Sequence, residues 1–291
     1  MLKGLIKLAR LKHWIKNVFI LLPVPFALAA RATRVPFQEE VGTLLLGLLG
    51  FSLINSAVYT LNDLIDADAD QLHPRKCKRP LASGEVSGRA ACIQIGVLML
   101  AGLALCLATG RPTVVLLSLA YIGINIAYCM GAKHVAVFDV FMLSSGFVIR
   151  VLLGCALVNA TPSAWLLLCT TSVALFLGFT KRRADIVAGV DANHRPSLEG
   201  YSLPFLDQAI TICAGVTLLG YALYGIESAM FVEGREMASM PFVAYGIMNY
   251  LRISNVENAG GSPVEIAYTS RSSQICAIGW IIAVLWSLGV W

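Results

Sequence analysis

Carboxylates are concentrated in one short stretch of the chain, Asn62 to Pro80, which directly follows a long apolar stretch. At helical pitch Asp63, Asp66 and Asp70 fall within about 60° of one another, and Asn62 flanks their face. Three carboxylates so placed repel each other unless a cation lies between them, and oxygen ligands suit a hard ion. We therefore predict a Mg²⁺–diphosphate site with these three aspartates as metal ligands. A solvated acidic helix end is the alternative.

Cations follow the acids within the same stretch. Lys76, Lys78 and Arg79 are predicted to bind donor phosphates, and contact with anionic lipid headgroups is the alternative for each. His73, which precedes a proline, is predicted to line the same site. A second charged group ends another apolar stretch and is predicted to form the facing wall of a common cavity, although at helical pitch not all of its cations can face inward. Its members are Lys181, Arg182, Arg183 and Asp185.

Further polar residues lie at or inside apolar stretches. Lys16, beside Trp14, suits an anchor for a lipid phosphate; a positive-inside lysine with an interfacial tryptophan is the alternative. Lys133 with Tyr128 is another candidate for substrate contact. Arg150 lies deep in an apolar stretch, where arginines are usually functional or paired. Asp139 is eleven residues away, about 16 Å along a helix and too far for a direct pair.

The composition is that of a membrane protein. Of 291 residues, 57% are hydrophobic and 13% charged, and the mean hydropathy is +0.74. These values exclude the soluble globular classes and predict an all-α, polytopic membrane protein. Judged against the roughly 20 residues needed to cross a bilayer, about nine transmembrane helices are expected around a central cavity open to the cytosolic face. They are predicted near residues 14–31, 42–61, 90–109, 112–130, 135–156, 163–180, 209–226, 239–253 and 274–291.

Basic residues predict the orientation of the chain. With the N-terminus in the cytosol, 17 of the 22 lysines and arginines lie on the cytosolic side and 4 on the other. The positive-inside rule therefore places the acidic stretch in the cytosol and the C-terminus outside. The net charge of +5 then reflects basic residues on the cytosolic side of the membrane, and we expect no nucleic-acid partner.

Two further sequence patterns concern a possible signal peptide and the cysteines. The first apolar segment imitates a signal peptide, but Pro23 and Pro25 favour a retained span. The eight cysteines are scattered and form no C-x-x-C pair, so neither a zinc site nor a disulfide framework is expected.

The acidic stretch resembles the N-D-x-x-D-x-x-x-D signature of the UbiA superfamily of intramembrane transferases. Within that superfamily the chain is most similar to the polyprenyl-phosphate (decaprenyl-phosphate) phosphoribosyltransferases. Segments from the first span to the last loop carry this similarity: Lys12–Asn17, His73–Gly84, Phe138–Leu152, Lys181–Asp185, Tyr245–Arg252 and Gly260–Glu265.

The resemblance implies transfer of 5-phosphoribose from phosphoribosyl pyrophosphate (PRPP) to a polyprenyl phosphate, with release of pyrophosphate. The product would be a lipid-linked phosphoribose precursor of arabinofuranose-type glycans. Asp63, Asp66 and Asp70 would hold Mg²⁺, and Asn62 would help to position the donor. The acceptor phosphate already carries a nucleophilic oxygen, so no strong general base is required, and an in-line displacement would invert the anomeric carbon.

The resemblance also implies one membrane domain over residues 1–291, with cytosolic loops near 62–89, 181–208 and 254–273. We expect a multi-pass protein of the bacterial inner (plasma) membrane, with its N-terminus and active site in the cytosol. The bilayer, PRPP and the lipid phosphate are its expected partners. The length of the polyprenyl chain and assembly into a homo-oligomer stay open.

Two departures from the family pattern matter. Prenyl-diphosphate users carry a second D-x-x-x-D motif after the sixth span, whereas here Asp185 and Asp191 are six apart and follow three cations. This favours direct phosphate binding by the cations over a second metal. Residues 269–272 also lack the Asp and Pro of the phosphoribosyl branch, which leaves Glu265 and Arg271 without an assigned role.

Two alternatives belong to other classes. A UbiA-type prenyltransferase would use the same first motif to move an isoprenoid from its diphosphate to an aromatic or other small acceptor. A transport protein would spread its buried acids through the depth of the membrane, whereas these acids cluster at one interface.

Overall fold

The computed structural model describes residues 2–30, 37–72, 76–190, 196–256, 261 and 263–290. Within these ranges the chain is all-helical, which confirms the predicted fold class. The α-helices are α1 (Leu2–Leu8), α2 (Val24–Ala30), α3 (Phe37–Ile65), α4 (Ala67–Gln71), α5 (Gly88–Ala108), α6 (Pro112–Cys129), α7 (Phe138–Leu157), α8 (Ala164–Val187), α9 (Leu203–Glu227), α10 (Met240–Val256), α11 (Pro263–Thr269) and α12 (Arg271–Ser287). In the described ranges four 3₁₀ helices connect them, at Leu11–Leu21, Lys76–Lys78, Ala132–His134 and Pro196–Gly200.

Six helices of the described part are long and apolar enough to cross a bilayer: α3, α5, α6, α7, α8 and α9. The chain is therefore a multi-pass membrane protein. Each of the nine predicted spans coincides with a helical segment, but three segments do not meet this criterion. Helices α10 and α12 have 17 residues each and rise about 26 Å, less than the hydrocarbon core of about 30 Å.

The first predicted span, residues 14–31, is not one α-helix. It divides into the 3₁₀ helix Leu11–Leu21 and helix α2, and the break falls at Pro23. Proline removes a backbone donor and clashes with the preceding turn, so two prolines in close succession prevent a continuous α-helix here.

Local sequence determines where several helices begin. Ser87, Ser163, Ser202 and Ser270 each stand just before a helix, and each side chain accepts a hydrogen bond from a backbone N–H of the first turn. Helix α3 packs closely on α5, because a Cβ at Gly50 would lie only 2.8 Å from the Gly102 carbonyl oxygen. This close approach fixes the helix that carries the acidic residues.

The charged ends of the helices stay helical further than the predicted loops 62–89, 181–208 and 254–273 imply. Helix α3 runs to Ile65 and α8 to Val187, so the first acids and the second charged group both lie on helices. A cavity of about 460 Å³ lies at the other end of the bundle, near the α5–α6 and α7–α8 connections. None of the predicted site residues lines it.

Candidate active site

Two buried aspartates share one arginine. Asp63, near the end of α3, and Asp70, on α4, are each 2% exposed. One nitrogen of Arg79, Nη1, donates to Asp63 Oδ1 across 3.0 Å and to Asp70 Oδ2 across 2.6 Å. Arg10 donates to Asp63 across 2.5 Å, and Lys76 lies 3.6 Å from Asp70. These two carboxylates therefore contact the same arginine, although they stand on two successive helices.

The third aspartate points toward a different partner. Asp66 lies in the turn between α3 and α4, where Asn62 Nδ2 donates to its Oδ2 across 3.1 Å. Lys133, from the 3₁₀ helix Ala132–His134, forms an ion pair with its Oδ1. The Cys129 thiol donates to Asn62 Oδ1 across 3.2 Å, which orients the amide nitrogen toward Asp66. Lys133 and Asn62 thus act on one carboxylate.

The acidic face has donor atoms that suit a divalent cation. Asp63 and Asp70 each place a carboxylate oxygen within 3.0 Å of the same nitrogen of Arg79, so both can reach one shared ion. Mg²⁺ is usually held by one or two carboxylates together with substrate phosphates. Among the described residues, no group of three or more His, Cys, Asp or Glu side chains is arranged to hold a metal by itself. The geometry therefore fits an ion that Asp63 and Asp70 share and that a phosphate completes.

A cluster of cations surrounds Tyr59, which lies one turn before Asp63 on α3. The Arg10 guanidinium lies 5.4 Å from the centre of the Tyr59 ring, and the His13 ring is 5.2 Å away. Lys16 Nζ donates to the Tyr59 hydroxyl across 3.5 Å. The Trp14 indole donates to Ser56 across 2.9 Å, so this tryptophan fixes the N-terminal 3₁₀ helix to α3. This helix thus brings Arg10 and Lys16 to the acidic face.

The pKa of His13 is lowered by burial and by the positive charges around it. Burial first, and then the charges of Lys16, Arg10, Lys181 and Arg79, lower the pKa of His13 to about 4. The four cations come from the N-terminal segment, the loop after α4 and the end of α8. Lys181 is therefore close enough to act on the same region as the acidic stretch.

The other two cations of the second charged group turn elsewhere. Arg182 is fully buried, and its Nε donates to Asp139 Oδ2 across 2.7 Å. Arg183 pairs with Asp207 of α9 across 2.5 Å. Asp185 lies 3.5 Å from Arg182 on the same helix, and Tyr128 lies within electrostatic range of Arg182. Of the three predicted phosphate-binding cations at this end, Arg182 is thus committed to a buried ion pair.

Arg150 has uncharged partners. Its Nε donates to Asn17 Oδ1 across 2.9 Å, its Nη2 to Asn55 Oδ1 across 2.7 Å and its Nη1 to the Gly146 carbonyl across 2.6 Å. Three aromatic rings, those of Phe51, Tyr121 and Phe147, surround the guanidinium at 5.2 to 5.7 Å. The Arg150 guanidinium, which lies near Tyr59, is therefore surrounded by uncharged oxygens and aromatic rings.

Two predicted site residues need separate mention. Lys78 is exposed, and its carbonyl accepts from Lys7 across 3.3 Å. His73 lies outside the described residues, as does Asp191 of the second charged stretch.

Six residues at the site were not predicted: Arg10, His13, Asn17, Asn55, Tyr59 and Cys129. Tyr59 could have been found by extending the acidic face of α3 back by one turn. Asn17 and Asn55 were detectable as polar residues within apolar stretches. The others carry no pattern that separates them from ordinary interfacial or loop residues.

The fold and sequence match known proteins over almost the whole chain. Residues 20–252 match the model of the UbiA prenyltransferase family. The decaprenyl-phosphate phosphoribosyltransferase of Mycobacterium tuberculosis is 32% identical over 97% of this chain and 93% of its own length. The enzyme of the same name from Corynebacterium glutamicum is 31% identical, over 97% and 86% respectively.

Solved structures agree on the fold. A UbiA homolog from Archaeoglobus fulgidus bound to DMAPP and Mg²⁺ superposes with a TM-score of 0.73, covering 99% of this chain and all of that one at 20% identity. The broken first helix, the acidic end of α3 and the helical bundle thus occur in a chain that belongs to the UbiA prenyltransferase family, a family of transferases.

Proposed function

We propose that this protein transfers 5-phosphoribose from PRPP to a polyprenyl phosphate of the decaprenyl-phosphate type and releases pyrophosphate. The observation that carries the proposal is an excess of cations around the acidic face. Three aspartates are paired with Arg10, Lys76, Arg79 and Lys133, and Lys16 lies at the neighbouring Tyr59. PRPP and a lipid phosphate together carry four phosphate groups, which such an excess suits better than a prenyl diphosphate alone.

The names of the relatives support this assignment. Curated relatives at about 32% identity over 97% of the chain are decaprenyl-phosphate phosphoribosyltransferases. The solved homolog with DMAPP and Mg²⁺ is consistent with a diphosphate donor and a divalent ion at the acidic face.

In this mechanism Asp63 and Asp70 would hold Mg²⁺, with Asp66 beside them paired with Lys133, and Asn62 would orient the donor. A bound Mg²⁺ would neutralise part of the negative charge that develops on the pyrophosphate oxygens. Arg79, Lys76 and Lys78 bind donor phosphates from the loop after α4, and Lys133 does so from the α6–α7 connection. Lys181 extends the positive wall at the end of α8, whereas Arg183 pairs with Asp207. The acceptor phosphate lies near Lys16 and above Arg150, so that its oxygen attacks the anomeric carbon in line and inverts it.

The proposed setting is one membrane domain over residues 1–291 in a bacterial inner membrane. Nine crossings would enclose a cavity that opens to the cytosol, with the short helices α10 and α12 and the broken first segment completing the six long ones. The one-sided distribution of basic residues supports a cytosolic N-terminus and active site.

A donor assay on membranes tests the assignment. Membranes that contain the protein are given ribose-labelled PRPP with a polyprenyl phosphate, or prenyl-labelled diphosphate with an aromatic acid. Ribose label from PRPP that enters the lipid fraction only when the lipid phosphate is present supports the proposal. Prenyl label that enters the aromatic acid would instead support the alternative of prenyl transfer, with which the matching family model is also consistent.

A further inference from the structure

A strained turn precedes α7. Val137 adopts φ 66° and ψ −50°, and the Phe138 N–H donates to the Ala136 carbonyl across 2.8 Å. These values define a γ-turn of the rarer hand, which is strained even for unbranched residues. A β-branched residue avoids positive φ, so its surroundings must hold Val137 in this conformation.

The hydroxyl of Tyr201 supplies that restraint. It accepts a hydrogen bond from the Val137 N–H across 2.6 Å and donates one to Asp139 Oδ1 across 2.6 Å. The other oxygen of Asp139 accepts from Arg182 across 2.7 Å and from Ser197 across 3.0 Å. Since Asp139 is fully buried, the acceptor that orients the Tyr201 hydroxyl is itself fixed.

The Ala136 side chain also packs against the backbone of Gly200. Gly200 ends the 3₁₀ helix Pro196–Gly200, and a Cβ atom at this position would overlap with the Cβ of Ala136. The connection between α6 and α7 is therefore held against residues 196–201 by both packing and hydrogen bonds.

Lys133 stands in the same connection, four residues before Val137, and pairs with Asp66 of the acidic face. We infer that Tyr201 is a positioning residue. By holding the turn at Val137, its hydroxyl keeps Lys133 against Asp66. It thereby links the segment before α9 to the part of the site that binds PRPP. The positional part of this inference, that Tyr201 holds Lys133 in place, does not depend on any substrate. Its effect on catalysis depends on the function proposed above.

Hydrogen exchange tests the positional part. Tyr201→Phe keeps the ring and removes both hydrogen bonds of the hydroxyl. In the full-length protein in detergent, the peptide that covers residues 131–139 should exchange faster in this variant, while peptides of α5 keep their rates. Tyr245→Phe, at an exposed tyrosine of α10, is the matched control. Unchanged exchange at residues 131–139 would overturn the inference.

Kinetics test the link to Lys133. Tyr201→Phe is expected to raise KM for PRPP about tenfold, as loss of a supporting hydrogen bond commonly does, and to leave KM for the lipid phosphate unchanged. In a Lys133→Ala background the same substitution should have no further effect on KM for PRPP. Independent, multiplying effects of the two substitutions would show that Tyr201 does not act through Lys133, and would overturn the inference.

Two features keep these outcomes distinct. If wild-type protein did not turn over PRPP, the proposed function would fail, and the exchange experiment would still decide the positional inference. If Tyr201→Phe did not fold, Gly200→Ala would serve in both tests, because the added methyl pushes residue 136 away from Gly200.

Discussion

Arg150 donates a hydrogen bond from Nε to Asn17 Oδ1 across 2.9 Å, although the two residues are 133 positions apart in the chain. This contact links α7 to the N-terminal 3₁₀ helix beneath the acidic face. All three hydrogen-bond acceptors described for Arg150 are uncharged, whereas the other deeply buried arginine, Arg182, is paired with Asp139. The Arg182 guanidinium is thus ion-paired with a carboxylate, whereas the Arg150 guanidinium is hydrogen-bonded, among the described residues, only to uncharged groups.

Arg150→Met should therefore cost little stability. Without the guanidinium, Asn17 Oδ1 still accepts from Asn55 and Asn55 Oδ1 still accepts from Tyr121, so no amide oxygen is left unpaired. Replacing a buried charge by an apolar side chain of similar length is often neutral or stabilising. We expect a thermal unfolding temperature within a few degrees of wild type or above it, together with reduced transfer to the lipid phosphate. A large fall in the unfolding temperature would contradict this view of Arg150.

Arg182→Met is expected to behave in the opposite way. Its removal leaves the fully buried Asp139 without its cation, and such a loss typically costs about 3–5 kcal/mol. Thermal unfolding in the same detergent should show a fall many times that of Arg150→Met. Equal unfolding temperatures for the two variants would refute the contrast between a paired and an unpaired buried arginine.

Arg79→Lys should impair the site although the charge is kept. A lysine ammonium on a flexible stem does not reproduce the fixed position from which Arg79 Nη1 contacts both Asp63 and Asp70. We expect kcat/KM for PRPP to fall by about 10- to 100-fold. Arg89→Lys, at an exposed arginine at the start of α5, is the matched control and should keep wild-type kinetics. Similar kinetics for Arg79→Lys and wild type would exclude a bridging role.

Asp70→Asn tests the proposed metal site. The substitution keeps the size of the side chain and removes the charge that it offers to an ion shared with Asp63. Activity should fall by at least about 100-fold, and the Mg²⁺ concentration for half-maximal rate should rise. Asp68→Asn, at an exposed aspartate of the same helix, is the control. Full turnover by wild-type membranes after treatment with a chelator would eliminate the metal from the mechanism.

The sequence predicts the helices better than it predicts which of them are long enough to span. Each predicted span coincides with a helical segment because a run of apolar residues satisfies its backbone most easily as a helix. The first segment departs because Pro23 and Pro25 break it, although both prolines were visible. The predicted loops begin too early because Asn62, Asp63 and the charges after Thr180 continue their helices beyond the apolar core.

At the site, what could be predicted was what lies close in sequence. The i, i+7 spacing predicts that Asp63 and Asp70 lie close together, and in the structure both contact Arg79 from neighbouring helices. The partners of Arg150 and Arg182 could not be predicted, because they lie on other helices and helix packing alone decides which polar residues meet. In the sequence Arg10 is only one of the basic residues on the predicted cytosolic side, because its pairing with Asp63 depends on how the N-terminal segment folds onto α3.

The low pKa of His13 predicts an acid-sensitive fold. With a pKa of about 4 in the folded protein and 6.5 when unfolded, His13 takes up a proton on unfolding at any pH between these values. Its contribution to stability is therefore complete above pH 6.5 and is lost as the pH falls toward 4. His13→Gln removes this proton uptake, so its thermal unfolding temperature should fall less steeply than that of wild type between pH 6.5 and 4. At pH 8, where His13 is neutral in both states, the temperature of each protein serves as its own reference. Parallel curves for the two proteins across this window would mean that neither burial nor the neighbouring cations lower the pKa of His13.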